Sequence, residues 1–319
     1  MNFVVTGIGA GLVSALLMAV VVKATALAFF LYILAPIPVL IVSLGWDHRA
    51  GLVAGAVGGA AIALLLSPMS GLGFVLVTAL PAWWLSYLAL LGRAGANGVM
   101  EWYPVGRLLA WIAGTATLTV VAAGIISAGT YEAFQANARE VAQAFVDMQF
   151  TGPRALEAET RGDLIDALAS FTPFLSAQGF TTVLALYLWT AAKIVSYSGR
   201  LPRSWPPIPE LAMPRASALA LVLGLGLATF ENFVGVFGFA LAGAFFTAFA
   251  LQGLAAIHDR TRGKAGRVAI LIGLYLLVFV TQGILMVALS LFGIVDSVFQ
   301  LRRRSGAGGQ PNLPGTPST

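Results

Sequence analysis

Residues 233–257 read FVGVFGFALAGAFFTAFALQGLAAI, twenty-five consecutive positions without a charge. A helix needs about 20 predominantly apolar residues to cross roughly 30 Å of hydrocarbon. This run is apolar on every side rather than along one stripe, the pattern of a helix surrounded by protein or lipid. Outward from it, similar runs recur at Phe3–Val22, Thr25–Leu44, Gly51–Leu66, Leu72–Leu91, Val105–Ala128, Pro173–Tyr197, Ala216–Phe230 and Val268–Phe299. Hydrophobic residues make up 59% of the 319 and charged ones 10%, against about 45–50% and about 25% in soluble domains. That imbalance excludes a soluble globular protein, a disordered chain and a nucleic-acid-binding domain.

The fold expected is all-α, a polytopic transmembrane helical bundle of about 8–10 membrane segments with kinked helices. Residues 1–300 form one integral membrane domain, with 130–172 as an extracytoplasmic amphipathic helical insert. Residues 301–319, rich in Gly, Pro, Ser and Gln, read as a disordered cytoplasmic tail. No basic residue precedes the first run and Lys23 follows it, so it reads as a retained helix rather than a cleaved signal.

Charge orients the chain. Cytoplasmic loops carry an excess of Lys and Arg. The stretch Thr130–Thr172 holds three arginines and seven acids and fits the outer side. Counting crossings from it places Arg49, Arg93, Arg107, Arg200, Arg203, Arg215 and the 260–267 cluster inside, together with the N-terminus. The localisation expected is the bacterial cytoplasmic (inner) membrane. The last run strains this count, because one crossing from Val268 leaves Arg302–Arg304 outside. As one helix its 32 residues extend about 48 Å. A break near Thr281-Gln282-Gly283 restores a cytoplasmic C-terminus; one tilted helix is the alternative.

The insert has helical periodicity. Phe134, Ala138, Val141, Phe145 and Met148 form one apolar face, Thr151-Gly152-Pro153 ends it, and Leu156, Leu164, Ile165, Leu168 and Phe171 suggest a second helix running into the sixth span. Two readings are open: a lid or docking cap, or a helical pair at the lipid headgroups.

Chemistry-bearing residues are sparse. The sequence has no Cys and two His, His48 and His258, so disulfides, thiolate catalysis and iron–sulfur clusters are excluded and no metal site is expected. It contains no HExxH, Walker, GxSxG or paired-acid motif; no enzyme activity and no cofactor are expected. Pro36 and Pro38 interrupt the second span and Pro81 the fourth. Prolines free carbonyls that must be satisfied inside protein or face a cavity. Trp83, Trp84 and Tyr87 follow Pro81 and either wall such a cavity or sit at the membrane interface. Gln178, Gln252 and Gln282 either bond between helices or meet a polar ligand. Gly51, Gly55 and Gly59, at four-residue steps, mark a close-packing face, internal or for another membrane subunit. Glu231-Asn232 reads as an outer turn, and Asp296 as a partner of Arg302–Arg304.

The runs LAPIPVL (34–40), LPAWW (80–84), LPRSW (201–205), LQGLAAIH (251–258) and LFGIVDSVFQLRRR (291–304) resemble the YybS-like family of bacterial integral membrane proteins, domain of unknown function 2232. The resemblance covers most of the chain and implies a polytopic membrane protein rather than a defined activity. More remotely, the hydropathy resembles substrate-binding membrane subunits of energy-coupling-factor transporters. The function expected is a solute-binding or transport membrane subunit, the alternative a membrane scaffold or assembly factor. The partners that follow are the lipid bilayer, a small-molecule solute or another membrane subunit, and no nucleic acid.

Overall fold

The computed structural model describes residues 2–96, 98–150, 156–281 and 283–299. Its helices are α1 (Phe3–Ala19), α2 (Ala26–Leu34), α3 (Pro36–Gly45), α4 (His48–Leu65), α5 (Pro68–Gly73), α6 (Leu80–Ala89), α7 (Val105–Ala128), α8 (Tyr131–Gln149), α9 (Ala158–Tyr197), α10 (Ser217–Leu227), α11 (Phe233–Arg260), α12 (Arg267–Val280) and α13 (Ile284–Phe299). Asn2, Thr25, Asp47, Ser67, Thr130 and Asn232 each accept a first-turn N–H, capping α1, α2, α4, α5, α8 and α11. Seven helical segments among the described residues are long and apolar enough to cross a membrane, and α10, α12 and α13 are shorter apolar helices. The chain is therefore a multi-pass membrane protein. Large apolar side chains such as Leu64 and Phe279 stand almost fully exposed, as a hydrocarbon solvent permits.

The uncharged run at 233–257 becomes α11, the axis of the bundle, packed against α7, α9, α10 and α13. Its apolar perimeter has a neighbour on nearly every side. Small residues set the spacing. Cβ atoms added at Gly224 and Gly238 would meet the Ala242 nitrogen at 2.7 Å and the Leu227 carbonyl carbon at 2.5 Å, so α10 and α11 touch by their backbones. Gly253 and Gly293 bring α11 and α13 together in the same way.

The interrupted spans have local causes. Pro36 and Pro38 cannot donate to the Tyr32 and Leu34 carbonyls, and the second span divides at Ala35, whose N–H turns back to Tyr32 O at 3.1 Å. Two carbonyls at the break gain side-chain donors from other helices: Tyr187 Oη donates to Ile33 O at 2.6 Å, and Ser14 Oγ donates to Ala35 O. In the fourth span, a π-helical turn at Phe74–Ala79 precedes Pro81. The wide turn carries the Leu80 N–H to Val75 O, five residues back, which relieves the clash a proline makes with the preceding turn. In the last run, α12 and α13 are separate helices. α12 ends at Val280 and α13 begins at Ile284, just after Gly283 at φ +108°, a conformation glycine alone adopts readily.

Several expectations need adjusting. The connection after the fourth span is a β-hairpin, β1 (Gly92–Ala94) antiparallel to β2 (Met100–Trp102), turned through Gly98 at φ +70°. The helical part of the seventh run contracts to the eleven residues of α10, about 16 Å, and residues 228–232 carry the chain on to the end that holds α8. The second insert helix and the sixth span are one 40-residue helix, α9, continuous through Pro173. On α8 the buried positions are Ala138, Ala142 and Val146, of which Ala142 and Val146 pack with Ile165 of α9; Val141, Phe145 and Met148 of the expected face are exposed. Arg139–Asp166 at 2.9 Å and Arg161–Asp147 at 2.6 Å also join α8 to α9. The Thr151-Gly152-Pro153 stop, Gln282, the Arg302–Arg304 run and the 301–319 tail lie outside the described residues.

Candidate functional site

At the end of the bundle opposite α8, aromatic and cationic groups gather. Trp83 and Trp84 each stack on Tyr87, with centroids 6.1 and 5.9 Å apart, and Trp84 meets the edge of Trp111 at 5.4 Å. His48 lies 5.2 Å from Tyr87. These rings pack against one another. Offset and edge-to-face pairs of this kind each contribute about 0.5–1.5 kcal/mol beyond area burial. Pro81 is buried beneath them. Trp46 and Trp83 bury their indole N–H groups without a partner among the described residues.

Arg203 ties this end together. It is 5% exposed, and its Nη1 donates to Ala89 O at 2.9 Å and Tyr103 O at 3.0 Å. Those carbonyls end α6 and precede α7, so one guanidinium joins two spans to the 198–216 loop. The Trp205 ring lies 5.5 Å from its Cζ, within cation–π reach. Burial lowers its pKa from the ordinary guanidinium value. Arg200 sits over Trp46 at 4.5 Å and links the ends of α9 and α3.

A second polar centre lies inside the bundle. Gln252 is fully buried; its Nε2 donates to Asp296 Oδ2 at 2.9 Å and its Oε1 accepts the Met213 N–H at 2.9 Å. Ser297 Oγ donates to Met213 O at 3.3 Å. The network joins α11, α13 and the 198–216 loop. Gln252 thus makes an interhelical bond.

The third feature is a cleft of about 730 Å³ beneath α8, bounded by α8, α9 and the turn between α10 and α11. Glu132, Glu140, Asp166 and Glu231 bring four carboxylates to it, and the single guanidinium, Arg139, is paired with Asp166. Tyr131, Phe134, Phe230 and Phe239 supply aromatic surface. Tyr131 and Phe134 both pack edge-on against Phe233. Among the described residues no group of three or more His, Cys, Asp or Glu is placed to hold a metal ion. The charge is dispersed around aromatic walls, a setting for an organic cation rather than a coordinated one.

The residues singled out in the sequence do not converge on one cavity. Pro36 and Pro38 lie at the α2–α3 break, Trp83, Trp84 and Tyr87 in the aromatic stack, Gln252 in the α11–α13 network, and Gln178 half-buried on α9. None of these lines the cleft, whereas Glu231, read in the sequence as part of an outer turn, does. The close-packing glycines face neighbouring helices: Gly51 meets Ser43 and Trp83, Gly55 meets Ala79, and Gly59 meets Val75. Sequence reasoning missed the cleft because it is lined by exposed faces of separate elements. Seven acids in the insert were its one legible signal.

No curated protein and no solved structure matches the chain. The likeness to energy-coupling-factor subunits therefore rests on hydropathy alone. A family profile matches residues 12–297, nearly all of the bundle just described, and the chain belongs to the family described as "Predicted membrane protein (DUF2232)".

Proposed function

We propose that this protein is a solute-binding membrane subunit that receives a small organic cation in the cleft beneath α8. The observation that carries the reading is the lining of that cleft: four carboxylates, one guanidinium already engaged, and aromatic rings on its walls. Acids set the sign of the ligand, and aromatic faces favour a cation with apolar substituents, such as an alkylamine or a quaternary ammonium. The positive-inside rule assigns the cleft to the outer face, where a solute arrives. The sequence holds no Walker motif, so ATP-driven transport would need a second chain.

Thermal unfolding of the purified protein in detergent, against a panel of amines and quaternary ammonium ions, tests the reading. A cation at a hundred times its dissociation constant adds about 2.7 kcal/mol. Glu132→Gln with Glu231→Gln should weaken the apparent affinity about tenfold, since two exposed charge contacts together supply about 1–2 kcal/mol. A panel without a stabilising cation, or an affinity unchanged in the double variant, overturns it. The scaffold reading draws instead on Val141, Phe145 and Met148, an exposed apolar stripe on α8. A photocross-linker at Phe145 that captures a membrane protein rather than lipid supports that alternative.

A further inference from the structure

A lateral groove of about 500 Å³ runs between α7 and the pair α10–α11. It exists because α10 has eleven residues and leaves the flank of α11 uncovered. Its floor is buried and apolar: Leu241 and Phe245 of α11, with Thr117 of α7, whose hydroxyl is spent on the Ala113 carbonyl. Its rims, Leu118 and Leu223, are exposed. A Cβ added at Gly114, which lines the groove, would have nothing within 4 Å.

One end of this groove is cationic. Arg107 lines it, and Pro214, which lines the same end, is followed by Arg215; both arginines are exposed. Gly106 contacts Ala212 and Met213, which puts the two arginine-bearing segments side by side. The Trp111 indole donates to Tyr103 Oη at 3.0 Å at this mouth. From Arg107 to Leu118 along α7 is about 16 Å, half of the roughly 30 Å hydrocarbon thickness and hence the depth of one leaflet. We infer that the groove is a binding site for one anionic phospholipid, an acyl chain lying against Phe245 and Leu241 and the phosphate held between Arg107 and Arg215. Apolar walls one leaflet deep fit the chain, and the two guanidiniums at its headgroup end fit the phosphate. This inference is independent of the cleft beneath α8.

Native mass spectrometry of the full chain released from detergent, loaded with equal phosphatidylglycerol and phosphatidylcholine, tests it. The wild type should retain one phosphatidylglycerol in preference to phosphatidylcholine. Arg107→Gln and Arg215→Gln should each cut that preference about fivefold. Gly114→Phe, which fills open space, should displace both lipids while the melting temperature stays within a few degrees of wild type. If Gly114→Phe unfolds the protein, the two arginine variants still decide. Equal retention of the two lipids by the wild type, or a preference unchanged in both arginine variants, overturns the inference.

Discussion

At the residue scale, buried polar side chains mark where the bundle is held in one arrangement. Arg203 is the clearest case. Its two charge-assisted bonds end on the carbonyl of Ala89, the last residue of α6, which no intrahelical donor reaches, and on the carbonyl of Tyr103, which leads into α7. Arg203→Ala should lower stability in detergent by about 3 kcal/mol, since hydrogen bonds to charged groups contribute about 1.5–3 kcal/mol each. Arg203→Lys should recover part of this, because an ammonium offers donors but lacks the planar fork. Equal melting temperatures for wild type and the alanine variant would remove the tie. Gln252→Leu should cost about 1–3 kcal/mol by leaving the buried Met213 N–H without its acceptor. Gln252 was legible as a polar interruption in an apolar run; its partner was not, because Met213 belongs to a loop whose return into the bundle no local pattern encodes. Arg203 read as a loop charge for the same reason, since charge counting records the side of a residue and not its depth.

At the scale of the element, backbone proximity decides which glycines matter. On α1, Gly7 and Gly11 face α4, and a Cβ at Gly11 would come within 2.5 Å of Ala54 O. Gly9, two residues away, has open space. Gly11→Ala should therefore separate α1 from α4 and cost about 1–3 kcal/mol, the usual effect of overpacking, whereas Gly9→Ala should be neutral or slightly stabilising. Thermal melts of the pair in one detergent compare the two directly, and equal losses would refute the α1–α4 contact. On α4 the four-residue repeat of Gly51, Gly55 and Gly59 announced close packing, but not its partners. Element lengths were read less well than element positions. α10 is shorter than its apolar run, which continues through the turn at 228–230, because hydropathy does not register where hydrogen bonding stops. The apolar face of α8 was visible as a period, yet α9 takes only the Ala138–Val146 side of it, a division set by the angle of packing between two helices.

At the scale of the whole molecule, the two ends of the bundle differ in charge and in shape. One carries Arg200, Arg203 and Arg215 with the aromatic stack; the other carries α8, its acids and the cleft. Cytoplasmic retention of Lys and Arg would place the first end inside and the second outside, and that sense decides which side supplies the cleft and which leaflet supplies the groove. The absence of Cys from the sequence makes the test direct, because any introduced thiol is unique. Asn137→Cys places an exposed thiol on α8, and Arg262→Cys places one in the loop between α11 and α12. In intact spheroplasts a membrane-impermeant maleimide should label the first and spare the second, with the second labelled once the membrane is opened. The reverse pattern would turn the cleft toward the cytoplasm, where it would receive an exported or metabolic cation, and would move the lipid groove to the outer leaflet. Labelling of both thiols in intact spheroplasts would mean that α10 is not a crossing, so that α9 and α11 alone return the chain to the outer side.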